Sequence, residues 1–271
     1  MTRLLRANLT RLLKSATFWI FFSLYVAYSL IIPIVTQSVF DKDTLAETST
    51  QSILALGYGI IGIPIQGILI AITCCIIFGL DFHDRTARNK IILGHSRSQI
   101  YIANLLTASI ISLAMSVVYL LLFLTISLPL FGKFTVPAKD IFILLLDGAM
   151  MLLAYSSVFT FISMTSKNPI VALLITIVLF IVTIIIVDFV CTDVLSSEAD
   201  FIVNGSDLKV VYTSKAERGF CKFLLDFLPS GQSYQLANNN DFRWQMSLYS
   251  LVLIGATTGA GMLIFNKTNL K

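Results

Sequence analysis

Six segments of the chain are apolar over lengths that a helix needs to cross a membrane. A bilayer core about 30 Å thick is spanned by roughly 20 residues of α-helix. The segments cover residues 17–35, 53–79, 100–131, 141–164, 170–190 and 245–265. They are rich in Leu and Ile and lack the alternation typical of a membrane β-barrel. The sequence therefore predicts an all-α, polytopic membrane protein with six transmembrane helices in a single domain, residues 1–271.

The overall composition excludes the main classes of soluble protein. Of the 271 residues, 56% are hydrophobic and 13% are charged, whereas soluble domains carry about 25% charged residues. So few charges leave too little polar surface to cover a globule of this size. A soluble enzyme, a disordered protein and a small disulfide-bonded scaffold are all excluded.

The distribution of charge predicts the orientation in the membrane. With six spans, both termini share one side with the 80–99 loop and the 166–169 loop. That side carries eleven cations and two carboxylates, a net charge of +9, whereas the other side carries eight cations and thirteen carboxylates, a net charge of −5. Because cytoplasmic loops are enriched in Lys and Arg, we expect both termini in the cytoplasm.

The first sixteen residues predict an amphipathic helix at the membrane surface. Leu5, Leu9 and Leu12 fall on one helical stripe. Basic and polar side chains occupy the other stripe, namely Arg3, Arg6, Thr10 and Lys14. Such a helix suits the anionic cytoplasmic leaflet. The alternative is a basic flank that only orients the first span.

The segment between the second and third spans, residues 80–99, is too polar for the membrane. Ile91, Ile92 and Leu93 stand between basic residues, and the sequence Gly-His-Ser-Arg at 94–97 interrupts the run before the third span. A short helix with an apolar knob among cations is typical of a docking surface for a soluble partner. A charged loop that only fixes the topology fits the composition equally well.

The same segment resembles the coupling-helix region of type-2 ATP-binding-cassette permeases, which share the ABCG-like fold. The residues that carry the resemblance are Asp81-Phe82, Thr86, Arg88-Asn89-Lys90 and Gly94-His95-Ser96-Arg97. Arg85 stands where that family usually has Gly, so the local turn is expected to differ. The resemblance extends in outline over the whole chain: an amphipathic amino-terminal helix, six spans, and a long outer loop between spans five and six.

The resemblance implies an ATP-driven exporter. In that family two permeases form a dimer, and each docks one separately encoded ATPase, which binds the ATP and Mg²⁺. This chain has no phosphate-loop sequence, so neither a cofactor nor catalytic activity is expected of it. The implied ATPase contacts are Phe82, Arg85, Arg88, Lys90 and Arg97. A homodimer is favoured over a pairing with a sister permease.

Cargo is predicted only by class. Apolar spans with few charges favour a hydrophobic or amphipathic cargo. Exporters of phenol-soluble modulins and exporters that give immunity to peptide antibiotics are similar in size and loop plan, so toxic or antimicrobial peptides are the leading expectation, in a bacterial plasma membrane. The alternative is a six-span secondary carrier or an accessory membrane protein that does not use ATP.

Two carboxylates and two glycines lie at membrane depth. Asp147, about two turns into span four, is a candidate for the translocation pathway, or a carboxylate bonded to a neighbouring helix; Asp188 lies near the outer end of span five. Gly255 and Gly259, spaced as G-x-x-x-G, predict a small face for helix packing in span six, together with Ala256, Ala260 and Gly261.

The outer loop, residues 191–244, combines a polar half with the apolar sequence GFCKFLLDFLP from Gly219, which predicts a re-entrant or interfacial helix. Cys191 and Cys221 both lie in this loop and are candidates for a disulfide. The sequence LPSGQ at residues 228–232 echoes an ATPase signature, but we interpret it as a turn that ends an outer helix. His83 and His95 have no metal-binding pattern, and the basic loop is too short for nucleic acid.

Overall fold

The chain is dominated by helices. A computed structural model describes residues 1–39, 50, 54, 57, 63–83, 86–132, 134, 137–166, 168–187, 199–204, 207–212, 215–238 and 244–267. Its helices are α1 (Thr2–Leu13), α2 (Ala16–Val39), α3 (Ile63–His83), α4 (Thr86–Ile92), α5 (Arg97–Phe131), α6 (Ala138–Ser166), α7 (Pro169–Ile185), α8 (Lys215–Phe227), α9 (Pro229–Asn238) and α10 (Gln245–Lys267). Two strands, β1 (Ala199–Asn204) and β2 (Asp207–Tyr212), form an antiparallel hairpin with Ala199 opposite Tyr212.

Four of these helices are long and apolar enough to cross a membrane: α2, α5, α6 and α10. They correspond to the first, third, fourth and sixth predicted spans. The second and fifth predicted spans correspond to shorter apolar stretches, Pro64–Cys75 within α3 and Pro169–Ile185 in α7. By helix length and composition, the chain is a multi-pass membrane protein.

Helix α6 is the centre of the bundle. It packs against α3, α5, α7, α9 and α10, and small or polar residues line much of its buried surface. These include Gly148, Ala154, Ser156, Ser157, Thr160 and Ser163. Since lipid tails are as apolar as Leu, transmembrane helices associate through close packing and hydrogen bonds rather than through the hydrophobic effect. Small side chains on α6 allow five neighbours to approach it.

A stack of aromatic rings joins α2 to α5. The rings of Tyr25 and Tyr119 lie 5.4 Å apart, and Phe123 continues the stack 5.7 Å from Tyr119. The Tyr25 hydroxyl donates to Gln66 Oε1 of α3 at 2.5 Å, and Gln66 Nε2 donates to the carbonyl of Ser112. Gln66 is fully buried, so one amide ties the first three apolar helices together.

The predicted outer loop, residues 191–244, contains more regular structure than the sequence predicts. Its polar half holds the β1–β2 hairpin, which was not predicted. Its apolar half forms α8, which ends at a bend at Leu228. The rest of the LPSGQ sequence, predicted to be a turn, instead forms the first turn of α9. A Cβ on Gly231 would lie 2.6 Å from the backbone of Leu225. Only Gly therefore permits this tight corner between α8 and α9.

Candidate functional site

Helix α4 ends in a motif that explains the sequence Gly-His-Ser-Arg. Gly94 has a φ of +88°, a left-handed conformation that favours Gly. Its N–H donates to the carbonyl of Ile91 at 2.9 Å, and the N–H of His95 donates to the carbonyl of Lys90 at 3.2 Å. This is the Schellman pattern that ends helices. Ser96 then begins α5 with a capping box to Gln99.

The end of α4 and the turn that follows it present two apolar side chains outside the bundle. Ile92 is 72% exposed and Leu93 is 77% exposed, the largest values for large apolar residues in the described part of the chain. Arg88 and Asn89, on the same short helix, are also exposed. We call Arg88, Ile92 and Leu93 the α4 knob. Apolar side chains surrounded by charge are typical of a surface that a partner covers.

A polar contact made by α4 begins a series of three contacts that leads into the bundle. Lys90 Nζ donates to Asn8 Oδ1 of α1 at 3.3 Å, and Asn8 Nδ2 donates to Asn104 Oδ1 of α5 at 2.7 Å. Asn104 Nδ2 in turn contacts the sulfur of Met164 in α6 at 3.1 Å. Asn8 and Asn104 are both buried. The three contacts therefore link α4 through α1 to α5 and α6.

Arg97 binds the last turn of α10. Its Nη1 donates to the carbonyl of Asn266 at 3.0 Å and to the carbonyl of Phe265 at 3.3 Å. The last carbonyls of a helix have no partner within the helix, so the guanidinium satisfies them and complements the negative end of the helix dipole. The contact brings α1, α4, the start of α5 and the end of α10 to one end of the bundle, which we call the α4 end.

The predicted ATPase-docking residues thus occupy different positions. Arg88 is exposed in the α4 knob, whereas Lys90 and Arg97 bind the protein's own α1 and α10. Phe82 belongs to the last turn of α3, and Arg85 lies outside the described residues. Sequence reasoning did not predict the role of Asn8, although Asn among the leucines of an amphipathic stripe is a usable signal for a buried polar contact.

Asp147 is fully buried between α6 and α10. Its Oδ1 accepts a hydrogen bond from the Ser247 hydroxyl at 2.5 Å, whereas Oδ2 has no hydrogen-bond partner among the described residues. The structure therefore places Asp147 beside a neighbouring helix, one of the two positions expected for it. Asp188 lies outside the described residues.

Gln232, inside the LPSGQ sequence, joins the outer helices to α10. Its Nε2 donates to the carbonyls of Asp226 at 2.7 Å and Met246 at 3.1 Å, and its Oε1 accepts from Ser250 at 2.8 Å. The side chain is fully buried. A long polar side chain amid apolar sequence is the signal that identifies such a position, because a buried amide needs several partners.

The corner between α8 and α9 reaches deep beside α10 and borders a cavity of about 270 Å³. Leu228 and Ser230 of the corner line it together with Leu253, two turns into α10. The remaining wall comes from α6 and α7, including Tyr155 and Phe180. The hydroxyls of Tyr155 and Ser230 are buried and have no hydrogen-bond partner among the described residues.

The predicted small face of α10 is only partly used within the chain. A Cβ on Gly255 or Gly259 would meet no described atom within 4 Å, whereas a Cβ on Gly261 would collide with the ring and hydroxyl of Tyr101. The close helix contact is therefore made by Gly261, two residues beyond the G-x-x-x-G pair.

Of the two cysteines in the predicted disulfide, the structure describes Cys221. Cys221 is buried, and it packs in a small cluster with Val187 and Leu225. Cys191 lies outside the described residues, so the pairing of the two thiols stays a prediction.

Comparison with known proteins does not assign the chain to a family. The sequence matches no family model and no curated protein. Functional inference therefore rests on the α4 end and the buried carboxylate.

Proposed function

We propose that the chain is the transmembrane permease subunit of an ATP-driven exporter. The α4 knob supports this proposal: Ile92 and Leu93 are 72% and 77% exposed, at the end of a helix whose Lys90 binds Asn8 of α1. A rigid helix whose apolar tip enters a partner's groove transmits rigid-body motion. The partner is a soluble ATPase, and the chain contains no phosphate loop of its own.

The proposed topology is six transmembrane helices with both termini in the cytoplasm of a bacterial cell. The α4 end holds contacts from both the first helix and the last helix, Asn8 to Lys90 and Arg97 to Asn266. If the first helix and the last helix end on the same side of the membrane, the chain crosses the membrane an even number of times. Helix α3 has 21 residues, about 31 Å at 1.5 Å per residue, and α7 has 17, the lower limit for a span.

The working unit is a dimer of this permease with two ATPases. The six proposed spans, with α6 at their centre, leave no space for a pathway within one copy. A pathway for cargo therefore forms between two copies related by a two-fold axis. The cargo is hydrophobic or amphipathic, with toxic or antimicrobial peptides as the leading class. Asp147 remains a candidate residue of the pathway for cationic cargo.

The docking test compares charge and shape variants of the α4 knob. The tagged protein is purified from its native membrane, and co-purifying proteins with a phosphate loop are identified by mass spectrometry. We expect R88E and L93D each to reduce ATPase recovery about tenfold or more, since a central interface residue is worth roughly 2 kcal/mol. R6E, an equally exposed cation on α1, is the matched control.

Two results would oppose the proposal. Recovery of the ATPase unchanged by both knob variants would place docking elsewhere. A wild-type protein that binds no ATPase and exports without ATP would favour a secondary carrier. Lys90 and Arg97 are unsuitable for this test because their loss also disrupts contacts within the chain.

A further inference from the structure

Helix α1 presents a basic face that the bundle does not cover. Four exposed polar side chains, Arg3, Arg6, Thr10 and Lys14, are spaced three or four residues apart and therefore follow one side of the helix. We call these four residues the α1 basic face. It is about 16 Å long at 1.5 Å per residue, and together with Arg11 it borders one open depression of the surface.

The other side of α1 packs against the protein itself. Leu4, Asn8 and Leu12 are 6%, 5% and 2% exposed, and Leu5 and Leu9 are half-buried. Much of the apolar surface that an amphipathic helix inserts into a leaflet is therefore already covered by the bundle. The cations are the main feature of α1 that is left for a partner.

The charge of this region has one sign. Helix α1 and the Lys14 that follows it contain four cations and no carboxylate. Helices α2 and α5, against which α1 packs, contain no Asp or Glu at all. A surface of one sign attracts partners of the opposite charge, so the partner that fits the α1 basic face is anionic.

Two features place α1 at the level of the lipid headgroups. Trp19, in the first turn of α2, is 52% exposed, and its indole N–H donates to the carbonyl of Leu13 at 2.7 Å. Trp is enriched at membrane–water interfaces. Helix α5 has 35 residues, about 52 Å at 1.5 Å per residue, whereas the hydrocarbon core is about 30 Å thick. Asn8 of α1 binds Asn104 of α5, about 10 Å from the start of α5, so α1 packs near an end of that long helix.

We propose that the α1 basic face binds the phosphate groups of anionic phospholipids in the surrounding membrane. Guanidinium groups bind phosphate oxygens through charge-assisted hydrogen bonds, and each cation near an anionic leaflet strengthens binding about fivefold. An acidic soluble protein is the other class of partner that the charge allows. The position beside Trp19, at the start of a span, favours the lipid.

This site goes beyond the proposed exporter function and requires neither an ATPase nor transport. Binding is therefore measured on the purified permease alone. The probe is phosphatidylglycerol that carries a nitroxide near the top of one acyl chain, at a low fraction in phosphatidylcholine vesicles. The full chain carries W244F, which leaves Trp19 as its only tryptophan, so quenching of tryptophan fluorescence reports on the lipids beside the end of α1.

We expect the phosphatidylglycerol probe to be enriched at Trp19 about fivefold or more over phosphatidylcholine with the same nitroxide, the effect of at least one cation. The enrichment should fall as salt is added, because exposed charges are screened. Equal quenching by the two probes would overturn the proposal without reference to any variant of α1.

Matched triple variants in the W244F chain locate the site. R3Q/R6Q/K14Q removes three cations of the α1 basic face and should abolish the enrichment. K139Q/K215Q/K222Q removes three exposed cations of α6 and α8 and should retain it. Enrichment that persists in R3Q/R6Q/K14Q would also overturn the proposal.

A protein partner would give a different result. Loss of ATPase recovery from R3Q/R6Q/K14Q, together with equal quenching by the two lipid probes, would assign the α1 basic face to the ATPase and not to lipid. The quenching measurement contains no ATPase, so the lipid proposal and the docking proposal fail separately.

Discussion

At the scale of single residues, Asn8 is a buried polar link between helix α1 and the bundle. It accepts from Lys90 and donates to Asn104. Replacing one partner of a buried hydrogen bond leaves the other unsatisfied, at a cost of about 1–3 kcal/mol. We therefore expect N8A to lower the free energy of unfolding by about 1–2 kcal/mol, measured by denaturation in detergent.

The control for N8A is T10A. Thr10 is exposed, and its hydroxyl bonds only the carbonyl of Arg6 within α1, so a change below about 0.5 kcal/mol is expected. Equal losses for both variants would mean that α1 as a whole, and not the Asn8 contact, determines the effect.

Asp147 permits a test that separates charge from structure. Asn keeps an oxygen that can accept from Ser247 and removes a buried charge whose second oxygen lacks a described partner. Since unpaired buried charge is costly, we expect D147N to unfold at the same or a higher temperature. If Asp147 also attracts cationic cargo, export of such cargo by D147N falls while assembly is retained.

The outcome for Asp147 has a clear alternative. Unchanged export by D147N, together with lower stability of S247A, would assign the carboxylate to the α6–α10 contact alone. Vesicle transport assays and thermal unfolding of the same preparations provide both measurements.

At the scale of elements, α10 shows that a sequence motif does not by itself identify the residue at which two helices make close contact. Gly255 and Gly259 carry the sequence pattern, but Gly261 makes the contact, with Tyr101 of α5. We expect G261A to destabilise the protein by about 1–3 kcal/mol through overpacking. G255A and G259A serve as matched controls and should cause no loss, because a Cβ there meets no described atom within 4 Å.

The result is read by unfolding of monomeric protein in detergent. A loss for G255A as large as that for G261A would contradict the described packing of α10.

Several elements could be predicted from the length of their apolar segments and from the residues that begin or end a helix. Helices α5, α6 and α10 begin and end within a few residues of the predicted spans, since a membrane requires long apolar runs. The break at Gly94 and Ser96 also follows from local chemistry. By contrast, the strands of the hairpin, Ala199–Asn204 and Asp207–Tyr212, lie in a polar loop without a strong pattern.

Long-range contacts explain why two of the predicted ATPase-docking residues, Lys90 and Arg97, bind the protein's own helices. Lys90 and its partner Asn8 are 82 residues apart, and Arg97 and Asn266 are 169 apart. A basic side chain in a cytoplasmic loop looks the same in sequence whether it faces a partner or its own helices. Only the three-dimensional arrangement distinguishes Arg88 from these two. The cavity at Tyr155 and Ser230, built from four separate elements, was equally beyond sequence reasoning.

At the scale of the whole molecule, the proposed coupling to an ATPase requires that the α4 end faces the cytoplasm. Single cysteines in a variant without the four native cysteines test this with a membrane-impermeant maleimide. The exposed positions R6C, L93C and N266C report on the α4 end, and F220C, where Phe220 is 61% exposed, reports on α8 in the outer loop.

In intact cells we expect the maleimide to label F220C alone, and to label the other three only after permeabilisation, because the net charge of +9 lies on their side. Labelling of L93C from outside would separate the knob from cytoplasmic ATP and remove the basis of the exporter proposal. Labelling of R6C and N266C on opposite sides would require an odd number of crossings, which is incompatible with the shared contacts of α1, α4 and α10 at one end of the bundle.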